Sequence, residues 1–197
     1  MLLAAILVVA AALRAPGLGW GLPPSTPEVA ASDLRCSYAF DEDDVLTHVA
    51  FTKPEKLDLD PRLYVWGTLH LHLLLAWMEA AEYSGFTGES WRQAYFRMTP
   101  GAFERVYIAG RVLTLVISLA SIWLVYLLGR TFENGAAGLW AAALTSVSPA
   151  HLLGSVQIRV DMTMICLLAV ATWLGLRAFA TPPDASSSWL VSVRGSP

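Results

Sequence analysis

Uncharged apolar runs alternate with one long polar interval along this chain, and the runs approach the length of membrane helices. Residues 1–13, MLLAAILVVAAAL, carry no charge. At ~1.5 Å per residue they extend roughly 20 Å, short of a ~30 Å hydrocarbon core. They read as the end of a first transmembrane helix whose beginning is missing. The alternative is a signal-peptide core with Ala10, Ala11 and Ala12 as its cleavage region, although the basic n-region is absent. Residues 112–129, VLTLVISLASIWLVYLLG, are uncharged and bounded by Arg111 and Arg130, as a spanning helix requires. Residues 134–158 are a further uncharged run, with Pro149 and His151 towards its end. Residues 162–176 are shorter, but a snorkelling Arg177 extends that span to about Thr181. The link through Arg130, Glu133, Asn134 and Gly135 is short, so the two helices it joins form an antiparallel hairpin.

The polar interval, 14–62, is rich in Pro and Gly at first (RAPGLGWGLPPSTPE) and acidic later. It is longer than a connector between helices needs, and long loops of this kind are often functional. After it comes 63–78, LYVWGTLHLHLLLAWM, an apolar segment that includes Gly67, His70 and His72. It is suited either to crossing the membrane or to lying in the interface, anchored by Trp66 and Trp77.

Composition agrees with the pattern. The chain is 55% hydrophobic and 15% charged, with eight Trp and a mean hydropathy of +0.51. That profile indicates an all-α, polytopic transmembrane bundle of about four spans. A net charge of −3 without a basic patch argues against nucleic acid as a partner. Cys36 and Cys166 are far apart, the second within an apolar run, and neither belongs to a CxxC or Cys/His zinc pattern. His70 and His72, at i and i+2, point to different sides of a helix, which is poor chelating geometry. Trp66, Trp77, Trp91, Trp123, Trp140 and Trp173 read as interface and packing residues.

The candidate chemistry lies in FDEDD, where Asp41, Glu42, Asp43 and Asp44 are consecutive. Such a cluster can be a solvated loop, the acid-rich first turn of a helix over 43–50, or a seat for a divalent cation. Its setting narrows the choice. FDEDDVLTHVAF…LDLDPRLYVWGTLHLHLL resembles the first external loop of the GT-C polytopic glycosyltransferases. Within these, it is most similar to the protein O-mannosyltransferases and bacterial aminoarabinose transferases of glycosyltransferase family 39 and its relatives. AGRVLTLVISLASIWLVYLLGRTF resembles that family's second span, opened by an arginine. GLWAAALTSVSPAHLLGS resembles its third, and VQIRVDMTM the short sequence with a second external acid.

The resemblance implies an inverting enzyme that moves a sugar from a polyprenyl-phosphate donor to a hydroxyl of a protein, lipid or glycan acceptor. The reaction would take place on the extracytoplasmic face of a plasma or inner membrane. A hydroxyl is a poor nucleophile, and a carboxylate base near the anomeric carbon contributes about 10²–10⁴-fold. By the family pattern Asp41 is the candidate base. Glu42 would orient the acceptor or the base, and Asp161 is the second acid. Arg111 and Arg159 are candidates for binding the donor phosphate, for which guanidinium geometry is suited. A divalent cation is left open as a cofactor, and no residue is assigned to a metal.

The family also places Asp41 and Asp161 on one side of the membrane. The segment 63–78 is therefore expected to be an interfacial juxtamembrane helix, with spans at 1–13, 107–129, 135–155 and 162–180. On this reading 1–180 is the N-terminal part of a GT-C module with its external loop at 14–106, and 181–197 is a disordered or truncated tail. Such enzymes have seven or more spans, so the chain is expected to be a fragment, inactive alone. The rival reading is a non-enzymatic membrane protein or transporter fragment. Transporters place ionisable groups at mid-membrane, whereas these acids gather in a loop and at helix ends.

Overall fold

The computed structural model describes residues 1–22, 40–63, 65 and 67–180. The expected tail at 181–197, together with Cys36 and Trp66, lies outside the described residues. Eight α-helices follow in order among the described residues: α1 (Leu2–Arg14), α2 (Phe40–Phe51), α3 (Thr68–Tyr83), α4 (Trp91–Arg97), α5 (Ala102–Phe132), α6 (Gly135–Val147), α7 (Pro149–Ser155) and α8 (Val160–Ala180). The fold is an all-helical, polytopic bundle. Three stretches are long and apolar enough to cross a membrane, Leu2–Gly19, Ala102–Phe132 and Val160–Phe179, and the bent pair α6–α7 makes a fourth if it counts as one span.

The expected spans therefore appear with shifted edges. The first continues past Arg14 as a 3-10 turn, Ala15–Gly19, and α5 starts five residues earlier than 107. The third is broken. Pro149 has no N–H to donate and crowds the carbonyl four residues back, so the residue before it leaves the helical region. Ser148 adopts φ −59° and ψ 124°, and α6 and α7 diverge by 63°. The juxtamembrane segment forms α3, displaced from 63–78 to Thr68–Tyr83, and is not among the helices long and apolar enough to span.

The hairpin of α5 and α6 is the tightest packing in the bundle. Asn134 caps α6, its Oδ1 accepting from the N–H groups of Ala136 and Ala137. Gly129 and Gly138 let the backbones touch: a Cβ added at Gly138 would stand 2.5 Å from the Tyr126 carbonyl oxygen. Small residues at such contacts are how membrane helices gain van der Waals packing without a hydrophobic driving force. Gly101, at φ 74°, supplies the left-handed residue that turns the chain into α5.

The main core lies at one end of the bundle. Val45, Leu46 and Val49 of α2, Leu71, Leu74 and Met78 of α3, and Trp91 and Tyr95 of α4 pack on Phe103, Val106 and Tyr107 of α5. A smaller cluster joins α1, α5 and α6 through Ala10, Ile122 and Ala142. Farther along, the spans show apolar side chains outward, among them Val8, Val116, Trp140, Leu144 and Leu168, as lipid-facing helices do.

Candidate active site

Consecutive residues of an α-helix project about 100° apart. The four acids fall in or beside the first turn of α2, and that geometry sends each in a different direction. Asp44 is exposed. Asp43 turns inward, and its Oδ1 accepts from the hydroxyls of Tyr95 and Tyr107. Glu42 is fully buried in the bundle, and Asp41 borders an open pocket.

Glu42 meets Arg111, and both are removed from solvent, at 0% and 2% exposure. Arg111 donates from Nε to Oε1 at 2.8 Å and from Nη2 to Oε2 at 2.7 Å, a bidentate pair. Its Nη1 donates to the carbonyls of Leu18 and Trp20. Glu42 Oε1 also accepts the backbone N–H of Ile158 at 2.8 Å. One ion pair thus ties the turn after α1, the start of α2, the shaft of α5 and the loop before α8. Gly110 makes room for that loop, since a Cβ there would lie 2.5 Å from Ile158 Cδ1.

The residues adjoining this knot form the pocket. Its volume is about 440 Å³, and its lining includes Asp41, Gly67, Arg159 and Asp161. Arg159 lies between the acids, with Nη2 at 3.5 Å from Asp41 Oδ2 and Nε at 3.1 Å from Asp161 Oδ2. Asp41, Arg159 and Asp161 are therefore brought together at one end of the bundle, though they lie far apart in the chain. Arg111 and Glu42 do not line that pocket. Their polar atoms are engaged with each other and with backbone, behind it.

Sequence reasoning missed the burial of Arg14 and weighed His70 only as a metal ligand. Arg14 is fully buried, donating to Ser155 Oγ, to the carbonyls of Ala10 and Ser146, and meeting His151 Nδ1 at 2.9 Å. His151 Nε2 in turn meets Ser121 Oγ. The signal for Arg14 was present: a lone charge closing an uncharged run is a candidate for burial at a helix junction. His70 is buried on α3, its Nδ1 2.7 Å from Thr163 Oγ1, while its Nε2 has no partner. Burial pushes the His70 imidazole down to about 4, against an opposing pull from Asp161.

Among the described residues no group of three or more His, Cys, Asp or Glu side chains is placed to hold a metal ion. A separate apolar cleft between α3 and α5, lined by Trp77, Ala81, Phe86 and Val112, shares no residue with the acidic pocket.

Residues 102–194 match the model of the dolichyl-phosphate-mannose-protein mannosyltransferase family. This supports the GT-C resemblance over α5 to α8, the part with Arg111, Arg159 and Asp161. Asp41 and Glu42 lie outside the matched stretch. The family is one of membrane glycosyltransferases of the GT-C type, mannosyltransferase-like, with a lipid-linked sugar as donor. No curated protein and no solved structure matches the chain.

Proposed function

We propose that this protein is part of an inverting glycosyltransferase that takes a sugar from a polyprenyl-phosphate donor to a hydroxyl acceptor on the extracytoplasmic face. The observation that carries this is the meeting of Asp41, Arg159 and Asp161 in one pocket at the end of the bundle. The acceptor oxygen attacks the anomeric carbon as its proton passes to a carboxylate oxygen of Asp41. The bond from that carbon to the phosphate oxygen breaks, and its electron pair leaves with the polyprenyl phosphate. Arg159 offsets the charge that develops there, and Asp161 orients Arg159 or the acceptor. Glu42 and Arg111 serve as positioning residues. Glu42 adjoins Asp41 in the chain, and the N–H it binds belongs to Ile158, next to Arg159. The buried pair thus sets the distance across the pocket, a different task from the donor contact expected of Arg111.

Asp41→Asn tests the reading. Asp41 is about half exposed, so folding is expected to be unchanged. Transfer from a polyprenyl-phosphate sugar, measured in membranes containing the full-length enzyme of which this chain is part, is expected to fall by about 10²–10⁴-fold. Retention of more than half the activity would remove Asp41 from the mechanism. Sidedness is read from Val65→Cys, an exposed pocket position, in a Cys36→Ser, Cys166→Ser background. An impermeant thiol reagent is expected to label it in intact cells. Labelling only after permeabilisation would place the site on the other face.

A further inference from the structure

The buried face of α3 consists of Leu71, Leu74, Leu75 and Met78, with His70 at its N-terminal end. Leu74, one turn on from His70, packs in the same core cluster as Ile158. Both close on Gly110, where a Cβ would lie 3.6 Å from Leu74 Cδ1 and 2.5 Å from Ile158 Cδ1. His70 Nδ1 meets Thr163 Oγ1 at 2.7 Å, and both side chains are buried. The segment from 158 to 163 is therefore held at each end, by Glu42 on the Ile158 N–H and by His70 on Thr163. Arg159 and Asp161 lie between the two holds. Gly67 and Asp161 line the acidic pocket and His70 does not, so the imidazole is behind the wall.

The ring there is neutral. Burial pushes it down to about 4, and the opposing pull comes from Asp161. Neutrality suits a hold at this place. A buried Lys or Arg would pair with Asp161 and compete for it with Arg159. The imidazole fixes Thr163 and leaves the 3.1 Å contact between Arg159 Nε and Asp161 Oδ2 undisturbed. Nε2 has no partner among the described residues, so the polar link of the ring runs through Nδ1.

We propose that His70 is a positioning residue: through Thr163 it fixes the first turn of α8, so that Asp161 stays aimed at Arg159 across the acidic pocket. The inference rests on the glycosyltransferase reading and adds to it a residue that the sequence weighed only as a metal ligand. Side chains two residues apart on a helix point about 200° apart. With Thr163 tied to α3, Asp161 is turned towards the pocket, and rotation of the helix would swing it off Arg159.

The test uses the full-length enzyme of which this chain is part, in nanodiscs, and reads kcat/KM for transfer from a polyprenyl-phosphate sugar. An Asn side chain ends where Nδ1 lies, and a Gln amide ends near Nε2. His70→Gln is therefore expected to lower kcat/KM about tenfold, and His70→Asn to recover most of it. At the other end of the bond, Thr163→Val is expected to match His70→Gln, and Thr163→Ser to recover most of the rate. In an Asp161→Asn background, His70→Gln and Thr163→Val should each cost less than about twofold, because the group they aim is gone. A role in stability alone would give equal falls in both backgrounds and no difference between Asn and Gln. That pattern, or Thr163→Val at the parent's rate, would overturn the proposal. Where a His70 variant fails to fold, the Thr163 pair gives the same comparison. Where Asp161→Asn is too slow to read, the rescue pattern decides. Asp41→Asn at full rate would sink the catalytic reading, whereas a slow Asp41→Asn without the rescue pattern would sink the His70 proposal alone.

Discussion

Removing Glu42 should cost the protein its fold before it costs any chemistry. Glu42→Ala would leave the Arg111 guanidinium buried at 2% exposure and strip the Ile158 N–H of its acceptor. Breaking one side of a buried pair costs about 3–5 kcal/mol, because the surviving charge is uncompensated. The orphaned N–H adds about 1–3 kcal/mol. For a chain of this size about 1 kcal/mol moves the melting temperature by about 2–4 °C, so the first loss alone predicts a fall of about 6–20 °C. The assay is thermal unfolding of the purified protein in nanodiscs, with transfer measured on the full-length enzyme of which it is part. Glu42→Leu combined with Arg111→Met removes both charges at once and should melt above either single variant. Recovery stays partial, because the carbonyls of Leu18 and Trp20 and the Ile158 N–H still lose their partners. A Glu42→Ala protein melting within about 2 °C of the parent would refute the buried-knot account. A double variant as stable as the parent and with unchanged transfer would refute the positioning role of the pair.

Two further outcomes follow from packing and burial. His70 is displaced from its ordinary 6.5 to about 4. The unfolded chain therefore binds the extra proton between those values, and stability should be full above pH 6.5 and decline as pH falls towards 4. The displacement corresponds to about 3 kcal/mol, so His70→Gln should flatten the parent's fall in melting temperature between pH 7 and 4.5; parallel curves would exclude His70 as the cause. Gly138→Val drives side-chain atoms into the Tyr126 carbonyl and should cost about 1–3 kcal/mol. An unchanged melting temperature would mean that the α5–α6 contact is looser than the structure has it.

Much of the bundle was legible because a spanning helix must satisfy its backbone internally and face lipid with apolar side chains. Uncharged runs therefore coincide with α1, α5 and α8, and hydropathy found them. Edges were less legible. The apolar run at 135–155 gives no warning of a 63° bend, except for the proline that causes it. The juxtamembrane helix moved because Gly67, read as part of it, is in extended backbone at its N-cap. At the site, the family pattern pointed to Asp41, Glu42, Arg111 and Asp161, with Arg159 a candidate beside Asp161; the fold brings Asp41, Arg159 and Asp161 into one pocket and leaves Glu42 and Arg111 out of its lining. The directions of the acids were not readable, since they depend on where α2 begins and which helices surround it. Glu42 and Asp41 are neighbours in sequence, yet one is sealed in the bundle and the other faces the opening.

The two arginines that touch acids differ most in what re-pairing would cost. Arg159 and both its carboxylate partners are about half exposed, at 40%, 52% and 53%. Such pairs are worth about 0–1 kcal/mol each. In the proposed reaction Arg159 can therefore leave Asp41 for an arriving phosphate at little cost, and the departure frees the carboxylate to take a proton. Arg111 has no such freedom. Turning it towards a phosphate would take the bidentate guanidinium away from Glu42 in a dry interior and loosen the knot that reaches Ile158. The same residue type thus divides into a mobile cation at the opening and a fixed one behind it, and the division follows from solvent access rather than from position in the family pattern. A site that must bind an anion and then release it needs its exchangeable charge at the surface and its permanent charge paired and buried.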